Sequence, residues 1–164
     1  MMVPEPTDEH RFLLKLVGHW RIEGEAMMGP DKPPETMTGT EHVRALGKLW
    51  TLGEGNMGQM PDGSDAVTLM TLGYDPAKGR FVGTFIGSMM ANIWPYHGVI
   101  DESGRRLPLY SEGPKFDGPG VGQYRDTIKL VDPDTWLFSS ELLADDGQWV
   151  EFMVGTHVRA KCNA

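Results

Sequence analysis

The chain has 164 residues and a single cysteine, Cys162, close to its end. One thiol cannot close an internal disulfide, so stability has to come from a packed core, and a reducing compartment is expected. Three residues from an end expected to fray, Cys162 is also not expected to have the ordered surroundings that activate a nucleophile. Long apolar runs are missing as well. No stretch nears the roughly 20 apolar residues of a membrane helix. The acidic start, Met1-Met2-Val3-Pro4-Glu5-Pro6, has no apolar segment of signal-peptide type. The expectation is a soluble, cytoplasmic protein without a membrane partner. Basic charge is scarce: 15 Lys and Arg stand against 23 Asp and Glu, a formal charge of −8. That field repels phosphate backbones and no Lys/Arg cluster relieves it, so a nucleic-acid partner is not expected.

Several chemical signatures are also absent. No G-x-S-x-G elbow occurs, and Ser88, Ser111, Ser139 and Ser140 fall in predicted strands. The five histidines, His10, His19, His42, His97 and His157, show no i, i+2 or i, i+4 pair, so no local metal nest is expected. The run Gly53-Glu54-Gly55-Asn56-Met57-Gly58 spells G-x-G-x-x-G. A dinucleotide site needs that turn to open a helix, but Pro61 and Asp62-Gly63 follow, so the run reads as a loop at a barrel mouth.

Glycine is plentiful, with 21 residues, and proline adds 12. Without a repeat period this composition signals many turns between short strands. One helix is expected over residues 7–17. Thr7 caps it, Asp8 and Glu9 suit its positive end, and Phe12, Leu13, Leu16 and Val17 form one apolar stripe that Gly18 terminates. After it, residues 18–160 read as roughly ten short strands in simple succession. Trp20, Ile22, Gly24, Ala26 and Met28 share one strand face, and Arg21, Glu23 and Glu25 the other. A third strand is placed at Lys48 to Glu54, and Asp132-Pro133-Asp134 and Asp145-Asp146-Gly147 mark late hairpins. A meander of this length avoids exposed edges most simply by closing on itself. The fold class is therefore all-β: a single antiparallel up-and-down barrel with a short N-terminal helix, one domain over residues 1–164.

The Gly18-His19-Trp20 step resembles the opening of lipocalin-like (calycin) barrels. A wider set of segments extends the likeness: Gly39-Thr40-Glu41, Leu46-Gly47-Lys48-Leu49-Trp50, Leu72-Gly73-Tyr74-Asp75-Pro76, Phe81 to Ser88, Glu112-Gly113-Pro114, Tyr124-Arg125-Asp126 and Arg159. In order and spacing the chain is similar to the bacterial family catalogued as domain of unknown function fifteen-seventy-nine. The resemblance implies a lipocalin-like barrel and no established reaction. It also implies that Arg159, on the last strand, covers the indole of Trp20 at the closed end, a structural pairing.

A barrel of this size has room for one small ligand. Eleven methionines suit a compliant apolar cavity. The expected lining is Trp94, Tyr96, Tyr124, Met153 and His157, with Arg44 and Arg125 as anchors for a polar or anionic group. The leading expectation is non-covalent binding of a small, largely apolar molecule, without a cofactor. The competing class is an enzyme, a cyclase, isomerase or hydrolase, using an inward Glu/Tyr/His set. Glu41, Glu54, Glu112 and Glu141 are its candidate carboxylates, with pairing to Arg44 or Arg125 on an outer wall as their other reading. A third reading is haem: Thr156-His157-Val158-Arg159 resembles the strand from which nitrobindins, another calycin group, ligate haem, which would make His157 the axial ligand. Outward aromatics leave a homodimer open.

Overall fold

The structure, a computed structural model, describes residues 1–29, 31–116 and 118–161. Cys162 lies outside them. A short helix, α1 (Asp8–Leu14), leads into strands β1 (Gly18–Ala26), β2 (Glu35–Leu46), β3 (Trp50–Gln59), β4 (Asp65–Asp75) and β5 (Arg80–Gly87). Then follow β6 (Trp94–Gly98), β7 (Arg106–Pro114), β8 (Val121–Asp132), β9 (Thr135–Leu143) and β10 (Trp149–Arg159). Each strand pairs antiparallel with its successor, and β1 pairs with β10, so the sheet closes into a barrel. Closure leaves no edge strand to cap or aggregate.

The helix is shorter than the 7–17 of the sequence reading. Leu16 and Val17 leave it through tightened turns whose N–H groups bond Leu13 and Leu14 carbonyls, and β1 already begins at Gly18. At the other end, the Thr7 N–H donates to His10 Nδ1 at 2.9 Å. The second ring nitrogen, which must then carry the proton, donates to the Tyr74 carbonyl at 3.1 Å. Buried His10 thus fastens α1 to β4. Phe12, Leu13 and Leu16 pack on Trp20, Val43, Leu72, Phe81, Leu107, Ile128 and Trp136 and seal one end of the barrel.

Trp20 is the centre of that floor. Its indole N–H donates to the Leu16 carbonyl at 2.8 Å, its ring meets Trp136 edge-on at 5.9 Å, and the Arg159 guanidinium lies 4.3 Å over it. Arg159 also donates to the Val17 and Pro133 carbonyls and to Asp134. It therefore joins helix end, β8–β9 turn and last strand across the floor.

One strand assignment changes in kind. The G-x-G-x-x-G run is not a loop but the body of β3, which extends past Glu54 to Gln59. Gly53 and Gly55 of the run face inward, where bulk is the limiting quantity, while Gly58 is exposed. On β10 a bulge between Glu151 and Met153 breaks the alternation, so neighbouring Phe152 and Met153 both reach the interior.

Gly18 has φ +146°, and a Cβ there would stand 2.3 Å from Arg159 Nη1. Gly18→Ala should therefore lower stability by about 1–3 kcal/mol, read as a reduced urea midpoint with an unchanged slope.

Candidate functional site

Above the sealed floor the barrel is hollow. The cavity measures about 400 Å³. It exists because several inward positions carry no side chain. Gly53 and Gly55 on β3, Gly113 on β7 and Gly155 on β10 are all inward and buried. A Cβ at 113 would strike the Trp94 ring at 2.2 Å, and one at 53 would sit 3.0 Å from Glu41 Oε1. These glycines make the space into which the neighbouring Trp94 and Glu41 side chains fit.

The wall is graded. Around the mouth it is apolar and soft: Met37, Met57, Met89, Met90 and Met153 join Phe85, Phe116 and Phe152. Tyr124 meets the Trp94, Phe116 and Phe152 rings edge-on at 4.9, 5.4 and 6.2 Å. Its hydroxyl donates to the Pro114 carbonyl.

One layer deeper the lining turns polar. Glu41, Asp126, Ser140 and His157 face the cavity between Ile22, Met70 and Phe138. His157 stacks on Trp136 at 3.7 Å. Its Nε2 lies 3.1 Å from Glu41 Oε2, with side chains 6% and 7% exposed. The approach is within ion-pair range but off hydrogen-bond direction: neither Glu41 Oε2 nor His157 Nδ1 has a hydrogen-bond partner. Across the cavity Asp126 accepts hydrogen bonds from Tyr96 and Ser140. Asp126 touches the cavity, so part of its surface is open, yet protein surrounds it. That burial raises its carboxyl above the ordinary 3.8, against the lowering effect of the Tyr96 and Ser140 hydroxyls. Burial first, then the adjacent Asp126 charge, push the Tyr96 hydroxyl well above its ordinary range.

The sequence-nominated residues separate cleanly. Trp94, Tyr124, Met153 and His157 line the cavity. Tyr96 is buried in the wall and acts through its bond to Asp126. Two nominations need correction. Arg44 is exposed on the outer face of β2, because Glu41 and Val43 take the inward positions. Arg125, next to inward Tyr124, also points outward. It binds Glu141 at 2.9 and 3.0 Å and covers Trp149 at 4.5 Å. Of the candidate carboxylates Glu41 turns inward, while Glu54 and Glu112 are exposed and Glu141 holds Arg125. Asp126 was overlooked; its shared face with Tyr124 and Ile128 was the available signal.

Among the described residues no group of three His, Cys, Asp or Glu side chains is placed to hold a metal. Nor does His157 fit axial ligation of haem. One nitrogen is turned to Glu41, the other is enclosed without surface, and Trp136 covers a ring face. An axial ligand needs a lone pair aimed into open space.

Fold and site together define a closed antiparallel barrel of lipocalin-like pattern with an internal, mostly apolar cavity. The chain matches the family described as protein of unknown function (DUF1579) over residues 5–159, and it belongs to that family. No curated protein matches it. Among solved structures, Rv2717c from M. tuberculosis has a similar fold, with a TM-score of 0.65 at 14% identity over 96% of this chain and 100% of that one. A redesigned β-barrel, mFAP1, bound to DFHBI, aligns with a TM-score of 0.47 at 15% identity over 91% of this chain and 99% of the other. At 14% identity the likeness to Rv2717c is one of fold.

The native Asp126 carboxyl keeps its proton to higher pH than the unfolded one, so stability is lost as pH rises through its native pKa. Asp126→Asn escapes that loss. Denaturant titrations across pH should show the variant gaining on wild type above the native pKa, with the gain gone below the unfolded value near 3.8.

Proposed function

We propose that the barrel binds one small, largely apolar molecule without covalent chemistry, its bulk among the Met and aromatic side chains and one polar group toward Glu41, Asp126 and His157. The observation that carries this reading is the cavity of about 400 Å³, apolar for most of its wall and polar only at its inner layer. Such a combination suits small-molecule sites, where buried apolar area supplies affinity and a few polar atoms set orientation. The methionine-rich mouth adapts to ligand shape at little cost.

A second reading, general acid–base catalysis in the same cavity, is favoured by one arrangement: two carboxylates, each beside a titratable ring, Glu41 with His157 and Asp126 with Tyr96. Native mass spectrometry of protein purified from cells separates the two. A co-purified molecule that stays unchanged on incubation supports binding. Conversion that stops in Glu41→Gln supports catalysis.

Calorimetric titration with decanol, a chain with one hydroxyl, should give saturable one-to-one binding. Gly155→Phe places a ring in the cavity from a position where the nearest atoms are Ile22 Cγ2 at 3.3 Å and the flexible end of Met37 at 3.5 Å. It should weaken decanol at least about tenfold while the circular dichroism stays that of a barrel. Equal affinity in the variant would place the ligand elsewhere.

A further inference from the structure

The charges inside the barrel are all of one kind. Among the described residues no Lys or Arg lines the cavity, whereas Glu41 and Asp126 both do. The cations that the sequence offered as anchors lie on the outside, Arg44 in solvent and Arg125 bound to Glu141. Asp126 forms no ion pair among the described residues; its partners are two hydroxyls. Glu41 Oε2 accepts no hydrogen bond although the side chain is only 7% exposed. Among the described residues of the lining His157 is the one basic group, and it faces Glu41. Even a charged His157 balances one carboxylate and leaves the other. Tyr96 and Tyr124, the remaining titratable neighbours, carry no positive charge in any state.

Building on the binding function above, we propose that the cavity selects a cationic amphiphile, an apolar chain or ring system bearing a protonated amine whose ammonium enters between Glu41 and Asp126. Three features support this. An ammonium has only donors, which matches a layer that offers carboxylate acceptors. On the way in it passes the faces and edges of Trp94, Tyr124, Phe85, Phe116 and Phe152, whose ring faces attract cations. The chain's formal charge of −8 draws cations and repels anions from a distance. A carboxylate ligand would instead meet two buried carboxylates and no compensating cation. Burial raises the Asp126 carboxyl, the behaviour of a site whose ionised form lacks a counter-charge that such a ligand supplies.

The test uses the full chain and three probes of equal length, decylamine, decanol and decanoate, titrated calorimetrically at neutral pH below their micelle concentrations. Decylamine should bind about tenfold or more tighter than decanol, the gain of one charge-assisted contact, and decanoate weakest. In the double variant Glu41→Gln/Asp126→Asn the amine should lose its advantage over decanol, while an unchanged circular dichroism spectrum certifies the fold. In wild type the amine preference should shrink as Asp126 is protonated at acid pH. Decanol binding equal to decylamine overturns the charge selection and leaves apolar binding standing. Decanoate at or above decylamine, or an undiminished amine preference in the double variant, also overturns it. Failure of all three probes to bind overturns the binding function as well.

Discussion

Trp20 set against Arg159, first strand against last, is the register on which the rest of the molecule depends. In a strand the side chains alternate, so a slip of one residue would turn Glu23 inward in place of Ile22, and Val158 in place of His157. The floor makes that slip costly. The Trp20 indole is held at once by the Leu16 carbonyl, the Trp136 ring and the Arg159 guanidinium, and Arg159 is itself bonded to Val17 and the β8–β9 turn. Two distant parts of the chain thus share one buried anchor. Once it is in place, pairing carries the parity around the barrel: Trp20 opposes Glu41, which fixes Glu41 inside and its neighbour His42 outside.

From that floor the interior loosens in steps. Large rings and branched side chains fill the closed end, and α1 covers it. Higher up, inward glycines replace inward bulk, and the space they leave is the cavity. The abundance of glycine therefore has two physical meanings that composition alone merges. Some glycines turn the chain between strands. Others stand in strand interiors, where they weaken the sheet locally and leave room for Glu41, Trp94 or a guest.

Much of the architecture was legible because it rests on local patterns. The turn signals, the alternation after Trp20 and the apolar stripe of the helix are all short-range. The direction of the functional side chains was less so. Alternation shows that Trp94 and Tyr96 share a face, as do Met153 and His157, but it does not say which face is inside. Nothing local to β2 told Arg44 from Glu41; only pairing with β1 does. Strict alternation did forbid Tyr124 and Arg125 from both lining the cavity, and the same rule pointed past Arg125 to Asp126. The bulge that brings Phe152 and Met153 in together breaks alternation and had no such signal. The G-x-G-x-x-G run misled because its spacing is that of a turn, while its inward glycines answer a demand for space inside a strand.

The polar layer is where stability and use diverge. A barrel that only had to stay folded would gain by filling this layer with apolar side chains, since enclosed charges without full partners are costly. Yet Glu41, whose Oε2 accepts no hydrogen bond from the described residues, lies beside the cavity, opposite a carboxylate whose protonation is favoured by burial. They stand above a floor that is closed and below a mouth that is soft, at the depth where the head of an enclosed molecule would rest. Unmet hydrogen-bonding capacity placed there is capacity that a ligand can meet. Under the binding function proposed above, the same groups that weaken the empty barrel would give the occupied one its means of choosing what it holds.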